Sequence, residues 1–222
     1  MPRIVNLAVL LSGSGRTLEN LQQAICAGRL SARIRVVVSS RSDAYGLVRA
    51  QRLGLKAYVV PRREYRDLGA FNAAINTILS RYSLDLVVLA GFLSLYQPPP
   101  TLQGKVMNIH PALLPAFGGK GYYGHRVHQA VLEAGVKITG CTVHFADEHY
   151  DHGPIILQEA VPVADDDTVE TLAERVFAVE CRLYPQAIQL FAENRLRIEG
   201  RRVRILPPAS SGSGNTEGQT AS

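Results

Sequence analysis

The sequence contains no tryptophan, three cysteines and two methionines in 222 residues, and aromatic residues make up 7% of it. Cys26, Cys141 and Cys181 are widely spaced and form no Cys-x-x-Cys pair, which argues against a disulfide framework or a zinc–cysteine site. The apolar run near the N-terminus is too short for a membrane span and lacks the small-residue pattern of a cleavage site. These absences predict a cytoplasmic protein with reduced thiols and no membrane partner.

Positive charge is in modest excess, with a net charge of +5 and a pI near 9.3. Such a balance suits an anionic partner, either nucleic acid or a phosphorylated small molecule, although it also serves solubility. The chain has no arginine-rich tail and no basic run interleaved with aromatic residues. Nucleic acid is therefore not predicted as a partner.

The first hundred residues alternate between two kinds of segment. Runs rich in Val, Ile and Leu without clean alternation predict strands buried on both faces, at 3–11, 33–39, 57–60 and 84–89. Between them lie apolar residues at helical spacing: Leu18, Leu21, Ala24 and Ile25, then Phe71, Ala74, Ile75, Ile78 and Leu79. This order predicts an α/β fold, in which a parallel sheet with right-handed crossovers has helices on both faces.

After "QPPP" at 97–100 the pattern changes. The remaining predicted elements are a strand at 105–109, a Gly-rich loop at 117–124, a helix near 125–134, strands at 137–145 and 154–163, and a helix from about 168 to 194. Pro185 is expected to break or kink that last helix. We predict one domain over 1–206. The Ser-, Gly- and Thr-rich segment 207–222 has no apolar anchor, which predicts disorder.

The segment "LLSGSGRTLENL", residues 10–21, passes from a buried strand through a Gly/Ser loop into a helix. Backbone N–H groups and the helix dipole at such a junction favour a bound phosphate. Leu18 stands where a dinucleotide fingerprint needs its third glycine, and the Walker pattern is absent. An ordinary strand–helix turn is the alternative, but Arg16 opposes the helix dipole and so favours an anion site.

All six histidines fall within 43 residues. They are His110, His125, His128, His144, His149 and His152. The candidate metal ligands are the pair His125-x-x-His128 and the set Asp147, Glu148, His149, Asp151 and His152. Neither spacing matches a strong zinc pattern, so we predict no metal, with a metal-dependent hydrolase as an alternative.

In "VMNIHPALLP", 106–115, an extended strand would place Asn108 and His110 on the same face. The alternative is a pair of hydrogen-bonded core residues. A carboxylate from "HFADEHYDHG" beside His110 would favour the protonated imidazole, while the Asn108 amide donates to an oxyanion. This set suits acyl transfer without a covalent nucleophile, and no Gly-x-Ser-x-Gly elbow is present.

Four segments in this order and spacing, "LLSGSGRTL", "DLVVLAGFLSLY", "NIHPALLPAF" and "GCTVHFADEHYDHGPIILQ", resemble the phosphoribosylglycinamide formyltransferase family over about 4–207. The resemblance implies transfer of a formyl group from 10-formyltetrahydrofolate to the amine of glycinamide ribonucleotide in purine synthesis, without metal, by a monomer or homodimer. It also implies an open, mostly parallel twisted sheet with a Rossmann-like N-terminal half. The two implied halves are a phosphate-binding half, about 1–100, and a folate-binding and catalytic half, about 101–206.

Family roles carry over to matching positions. The resemblance implies that Asn108, His110 and Asp151 are catalytic, and that Asp151 raises the pKa of His110. It further implies that Gly15, Arg16 and Thr17 hold the substrate phosphate and Glu180 the ribose. The implied folate-binding residues are Leu93, Ser94, Leu95, Tyr96, Asn108, Ala146, Asp147, Glu148, His149, Tyr150 and Asp151, with Arg66 near the glutamate tail. This chain departs from the family pattern in having Arg16-Thr17 for Ser-Asn and Ser94 for an arginine.

Two relatives within the superfamily compete with this interpretation. Methionyl-tRNA formyltransferase would need an added C-terminal RNA-binding domain, and formyltetrahydrofolate deformylase would carry an N-terminal regulatory domain. The length of the chain disfavours both. The deformylase is kept as the first alternative and the metal-dependent hydrolase as the second.

Overall fold

The protein is described by a computed structural model that covers residues 3–208. The helices are α1 (Arg16–Cys26), α2 (Tyr45–Arg52), α3 (Leu68–Leu79), α4 (His125–Glu133) and α5 (Val169–Ala192). The strands are β1 (Val5–Leu11), β2 (Ala32–Ser39), β3 (Ala57–Val59), β4 (Leu86–Leu89), β5 (Val106–His110), β6 (Ile138–Phe145), β7 (Ile155–Pro162), β8 (Leu196–Glu199) and β9 (Arg202–Ile205). Apart from residues 207 and 208, the predicted disordered segment lies outside the described residues.

All nine strands join one sheet in the order β3-β2-β1-β4-β5-β6-β7-β9-β8. Strands β1 to β5 pair in parallel, β6 runs antiparallel to both β5 and β7, and β8 and β9 form an antiparallel hairpin at the far edge. The predicted open, mostly parallel α/β sheet is confirmed. Because the chain reverses its direction of winding between β1 and β4, a crevice is expected at their carboxyl ends.

Helices cover both faces of the sheet, as predicted. Alternate residues of β1 enter different cores: Leu7, Val9 and Leu11 pack with α1 and α5, whereas Ala8 and Leu10 pack with α3. All five are fully buried. A strand buried on both faces has no polar side to alternate with its apolar side, which explains the continuous apolar run in the sequence.

Helix α5 runs unbroken through Pro185, so the expected break is wrong. Proline has no N–H group to donate to the carbonyl four residues earlier, which is that of Cys181. The side-chain amide of Asn20 donates to this carbonyl at 2.9 Å instead. The Cys181 carbonyl, which Pro185 leaves without a helical donor, therefore links α5 to Asn20 of α1.

Helix α2 and the β8–β9 hairpin were not predicted. Helix α2 has eight residues, and its buried residues, Gly46 and Ala50, are too small to give an apolar periodicity. The β8–β9 hairpin does have a signal, since Leu196 and Ile198 alternate with charged residues before Gly200. In the part of the chain that the structure describes, none of the helices has the length and apolar character needed to cross a membrane.

Candidate active site

A cleft of about 340 Å³ opens at the carboxyl ends of β4 and β5. Its walls come from the segment after β4, from β5, from the Gly-rich loop and from the segment after β6. The lining residues that the sequence predicted are Leu93, Ser94, Leu95, Tyr96, Asn108, His110, Ala146, Asp147, His149, Tyr150 and Asp151. Residues 119–124 also line it, which places the Gly-rich loop at the cleft. Glu148 and Arg66 are not among its lining residues.

The register of β5 positions the two polar residues that the sequence singled out. Leu89, the last residue of β4, pairs with Asn108, so His110 extends beyond the end of β4. On its other side, Asn108 lies opposite His144. The buried hydroxyl of Tyr184 on α5 lies 3.0 Å from the carbonyl of Leu89 and 2.8 Å from that of Met107. Helix α5 thus contacts both β4 and β5 next to the cleft.

Asp151 joins the predicted catalytic residues. Its Oδ1 accepts from Asn108 Nδ2 at 3.2 Å, and its Oδ2 accepts from the Gly119 N–H at 3.0 Å. The same Oδ2 lies 3.5 Å from His110 Nδ1. Burial raises the pKa of Asp151, but its contacts with His144, His110 and Gly119 outweigh burial and leave that pKa below its usual value. Asp151 is therefore ionised near neutral pH.

His110 is 3% exposed, and its two ring nitrogens face different partners. A carbonyl can only accept, so Nε2 donates to the Phe117 carbonyl at 2.8 Å, and Nδ1 faces Asp151. Burial lowers the pKa of His110, and it outweighs the opposing effects of Asp151 and Phe117. The expectation of a protonated His110 is wrong for this structure, because desolvation exceeds the attraction of the carboxylate.

His144 was not assigned a role from the sequence, yet it completes the polar floor of the cleft. Its Nδ1 donates to the Phe145 carbonyl at 2.8 Å, so its Nε2 accepts from the Asn108 amide at 3.1 Å. The Asn108 amide thus donates to both His144 and Asp151. To reach an oxyanion, it must exchange one of these partners.

The predicted phosphate loop lies outside this cleft, where α1 begins at Arg16. Gly15 has φ 77°, and a Cβ added there would lie 2.5 Å from the Gly46 Cα, so no larger residue fits. Within the described residues, no side chain caps the first turn of α1. Backbone N–H groups at Arg16 and Thr17 therefore start an open helix N-terminus.

Arg16 has partners that the sequence could not reveal. Its guanidinium forms two hydrogen bonds with Glu174, at 2.5 and 2.6 Å, and lies 3.8 Å from the centre of the Phe177 ring. Both partners belong to α5. These contacts account for an arginine at the wrong end of the α1 dipole.

Glu180, also on α5, is half-buried, and within residues 3–208 its carboxylate has no hydrogen bond. Burial raises the pKa of Glu180 to about 7, against the opposing charge of Arg16. A carboxylate held without a partner beside the α1 N-terminus is available to accept from substrate hydroxyls.

We expect Glu180→Gln to stabilise the fold at pH 8 and to leave it unchanged at pH 4. An acid whose folded pKa of about 7 exceeds its ordinary 4.5 destabilises the fold progressively as pH rises between those values. Urea unfolding at both pH values measures the difference. Glu170→Gln is the control, because Glu170 is exposed and its pKa is lowered. An equal gain at both pH values would contradict the burial explanation.

A second cavity of about 390 Å³ adjoins the cleft, and Leu93 and Ser94 line both. Its walls include Arg41, Arg62 and Arg63, whereas Arg66 is not among them. Arg41 is held by Asp43 through two hydrogen bonds, at 2.9 and 2.6 Å. The three arginines of this cavity therefore come from the segments that follow β2 and β3, a juxtaposition that depends on the sheet order.

Of the candidate metal ligands, three converge. The ligand atoms of Asp147, His149 and His152 lie within 4.8 Å of one another, and the latter two residues are exposed. His128 is buried on α4, its Nδ1 has no partner among the described residues, and burial lowers its pKa to about 4. His128 is therefore a neutral core residue.

The fold and the cleft define a class of α/β enzymes in which a histidine–aspartate pair lies at the carboxyl ends of central strands. Sequence comparison identifies one family within that class. A sequence profile described as "Formyl transferase" matches residues 5–188. The chain belongs to the formyl transferase family.

Named relatives agree with this family. The chain is 38% identical over 195 residues to phosphoribosylglycinamide formyltransferase of Haemophilus influenzae, covering 87% of this chain and 90% of the relative. It is 42% identical over 199 residues to the trifunctional purine biosynthetic protein adenosine-3 of Bos taurus, covering 89% of this chain. The chain spans about a fifth, 19%, of that longer relative.

Among solved structures, glycinamide ribonucleotide transformylase 1 from Symbiobacterium toebii superimposes with a TM-score of 0.85 at 48% identity. The match covers 92% of this chain and 95% of that chain. The resemblance found in the four sequence segments is thus confirmed over most of the chain.

Proposed function

We propose that this chain transfers the formyl group of 10-formyltetrahydrofolate to the amine of glycinamide ribonucleotide, a step of purine synthesis. The observation that carries the proposal is the meeting of Asn108, His110 and Asp151 at the cleft. The names of relatives that match the chain at 38% and 48% identity over nearly their whole length support the same substrates. The other activities of the trifunctional relatives are not included.

In the proposed reaction, the substrate amine attacks the formyl carbon and a tetrahedral oxyanion forms. Asn108 stabilises the oxygen after its amide exchanges one of its present partners for it. Neutral His110 takes up a proton at Nδ1, beside the ionised Asp151, which stabilises the resulting imidazolium. The proton then passes to the folate nitrogen as the carbon–nitrogen bond to folate breaks.

The two halves of the molecule would divide the binding between them. We assign the substrate phosphate to the N-terminus of α1 at Gly15, Arg16 and Thr17, and the ribose to Glu180. The folate ring is assigned to 93–96 and 146–151, which largely line the cleft. For the glutamate tail we assign Arg62 and Arg63, which line the adjoining cavity, rather than the Arg66 expected from the sequence, which does not line it.

The remaining parts of the proposal concern the whole protein. It would act in the cytoplasm as one domain over 1–206, as a monomer or homodimer, without nucleic acid and without a catalytic metal. The chemistry above needs only side chains and the two small molecules, since each proton has a named donor and acceptor. Free Cys26, Cys141 and Cys181 agree with a reducing compartment.

The test mixes the protein with both substrates and follows tetrahydrofolate by its absorbance. We expect release that requires the amine and persists in chelator. Release without the amine would point to formyltetrahydrofolate deformylase, and release abolished by chelator would point to a metal-dependent hydrolase. Either outcome, or no release at all, would contradict the proposal.

A further inference from the structure

The C-terminal hairpin contacts the segment that carries Asp151. Arg201 lies at the turn between β8 and β9. Its Nη2 donates to the His152 carbonyl at 3.0 Å, and its Nη1 lies 2.9 Å from His152 Nε2. One guanidinium thus holds both the backbone and the ring of the residue that follows Asp151.

These contacts fix the tautomer of His152. A guanidinium can only donate, so His152 Nε2 accepts and Nδ1 carries the proton. Nδ1 donates to Asp147 Oδ2 at 2.7 Å, and Asp147 Oδ1 accepts from the His149 N–H at 2.9 Å. Three residues therefore form a directional chain of hydrogen bonds, from Arg201 through His152 to Asp147.

This series of hydrogen bonds engages residues on both sides of Asp151, which the proposed reaction needs. Asp147 and His152 flank Asp151, which has φ 54°, a left-handed conformation that is costly for a residue other than glycine. Nearby, Gly153 packs so tightly that an added Cβ would lie 1.9 Å from the Phe145 carbonyl oxygen. A strained residue keeps its conformation only when its surroundings hold it there.

We propose that Arg201 and His152 are positioning residues that hold segment 146–152, and hence Asp151, in the geometry for proton handling. The proposal rests on the proposed function for its kinetic consequences. The family profile ends at residue 188, so Arg201 lies outside the matched region, whereas His152 lies within it.

Asp147, His149 and His152 form the one convergent set of candidate metal ligands in residues 3–208, but the hydrogen bonds of His152 argue against a metal there. Both ring nitrogens of His152 are already engaged, one by the Arg201 cation at 2.9 Å and one by Asp147. A metal ion at His152 would have to displace one of them. A metal ion that displaced Arg201 from Nε2 would also lie beside the positive charge of that guanidinium, which would repel it.

Three groups face the ring of His152. Asp147 and His149 lie on its own segment, with the two histidine ring centres 5.3 Å apart, and Arg201 faces it from the hairpin.

Amide hydrogen exchange of 146–152, measured without substrates, tests the hold directly. We expect Arg201→Ala and His152→Ala each to speed exchange by about tenfold, as for the loss of a hydrogen bond to a charged group. Arg202→Ala, an exposed neighbour on the same hairpin, is the control and should leave exchange unchanged. Equal exchange in Arg201→Ala and Arg202→Ala would overturn the proposal.

A second variant separates positioning from a merely structural role. Glutamine can accept from Arg201 and donate to Asp147, as His152 does. His152→Gln should therefore keep wild-type exchange and kcat. His152→Ala should lower kcat by about tenfold, with little change in the KM for the ribonucleotide.

Exchange in His152→Gln as fast as that in His152→Ala would overturn the role of these two hydrogen bonds. Added zinc that slows exchange in the wild type but not in His152→Ala would show a metal site and overturn the hydrogen-bond account. Amide exchange is measured without catalysis. If the protein transferred no formyl group, the proposed function would be refuted, but the exchange measurements would still show whether Arg201 and His152 hold segment 146–152.

Discussion

Replacing His110 with alanine is expected to lower kcat by about 100-fold to 10,000-fold, the range for loss of a positioned acid–base group. His110 is the side chain whose free nitrogen, Nδ1, faces an ionised carboxylate at 3.5 Å. Because it acts on the proton that moves in the transition state, KM values for both substrates should change little. Steady-state kinetics with each substrate varied in turn measures this separation.

His125→Ala is the matched control, since His125 is exposed on α4 and does not line the cleft. Circular dichroism should show that both variants are folded. This check is needed because the hydrogen bond of His110 Nε2 to the Phe117 carbonyl is lost with the ring. A folded His110→Ala variant with near-normal kcat would remove His110 from the mechanism. A rise in KM alone would give it a binding role instead.

Asp151→Asn is expected to lower kcat by about 10-fold to 1,000-fold, corresponding to the loss of an opposite charge beside an imidazolium. Asparagine tolerates the left-handed conformation at φ 54° and keeps the side-chain shape. The change therefore removes charge while preserving packing. Kinetics at saturating substrates, compared with Asp165→Asn at an exposed aspartate, measures the effect.

The same variant has a predicted effect on stability. The folded pKa of Asp151 lies below its ordinary value, so its carboxylate stabilises the fold above that ordinary value and loses this effect as pH falls. Asp151→Asn should be less stable than wild type at pH 7, and the difference should shrink towards pH 3. Urea unfolding at both pH values measures it. A constant difference would mean that the charge has no part in holding the segment.

Local patterns in the sequence were sufficient to predict much of this site. The period of two in an extended strand places Asn108 and His110 on one face, and the strand order places their ends at a crevice. The partner of Asn108 could not be predicted, because His144 is brought opposite it by the β5–β6 register. Register is fixed by packing across the whole sheet.

One electrostatic expectation was wrong for a related reason. The sequence indicated a carboxylate near His110 and hence a raised pKa, but it carried no measure of burial, and burial dominates at a ring that is 3% exposed. Likewise, the sequence could not show that Arg16 pairs with Glu174, which lies 158 positions away in the chain. Burial and distant pairing both become known only after folding.

The hydrogen bond from Asn20 to the Cys181 carbonyl also constrains how this protein can be recombined with its relatives. Asn20 on α1 donates to the Cys181 carbonyl that Pro185 leaves free on α5, so a chimera that exchanges α5 alone could separate Asn20 from Pro185. An α5 without the proline would pair its own carbonyl and leave Asn20 with no acceptor there. An α1 without the asparagine would leave a carbonyl unpaired one residue after Glu180. Residues 20 and 185 should therefore be exchanged together.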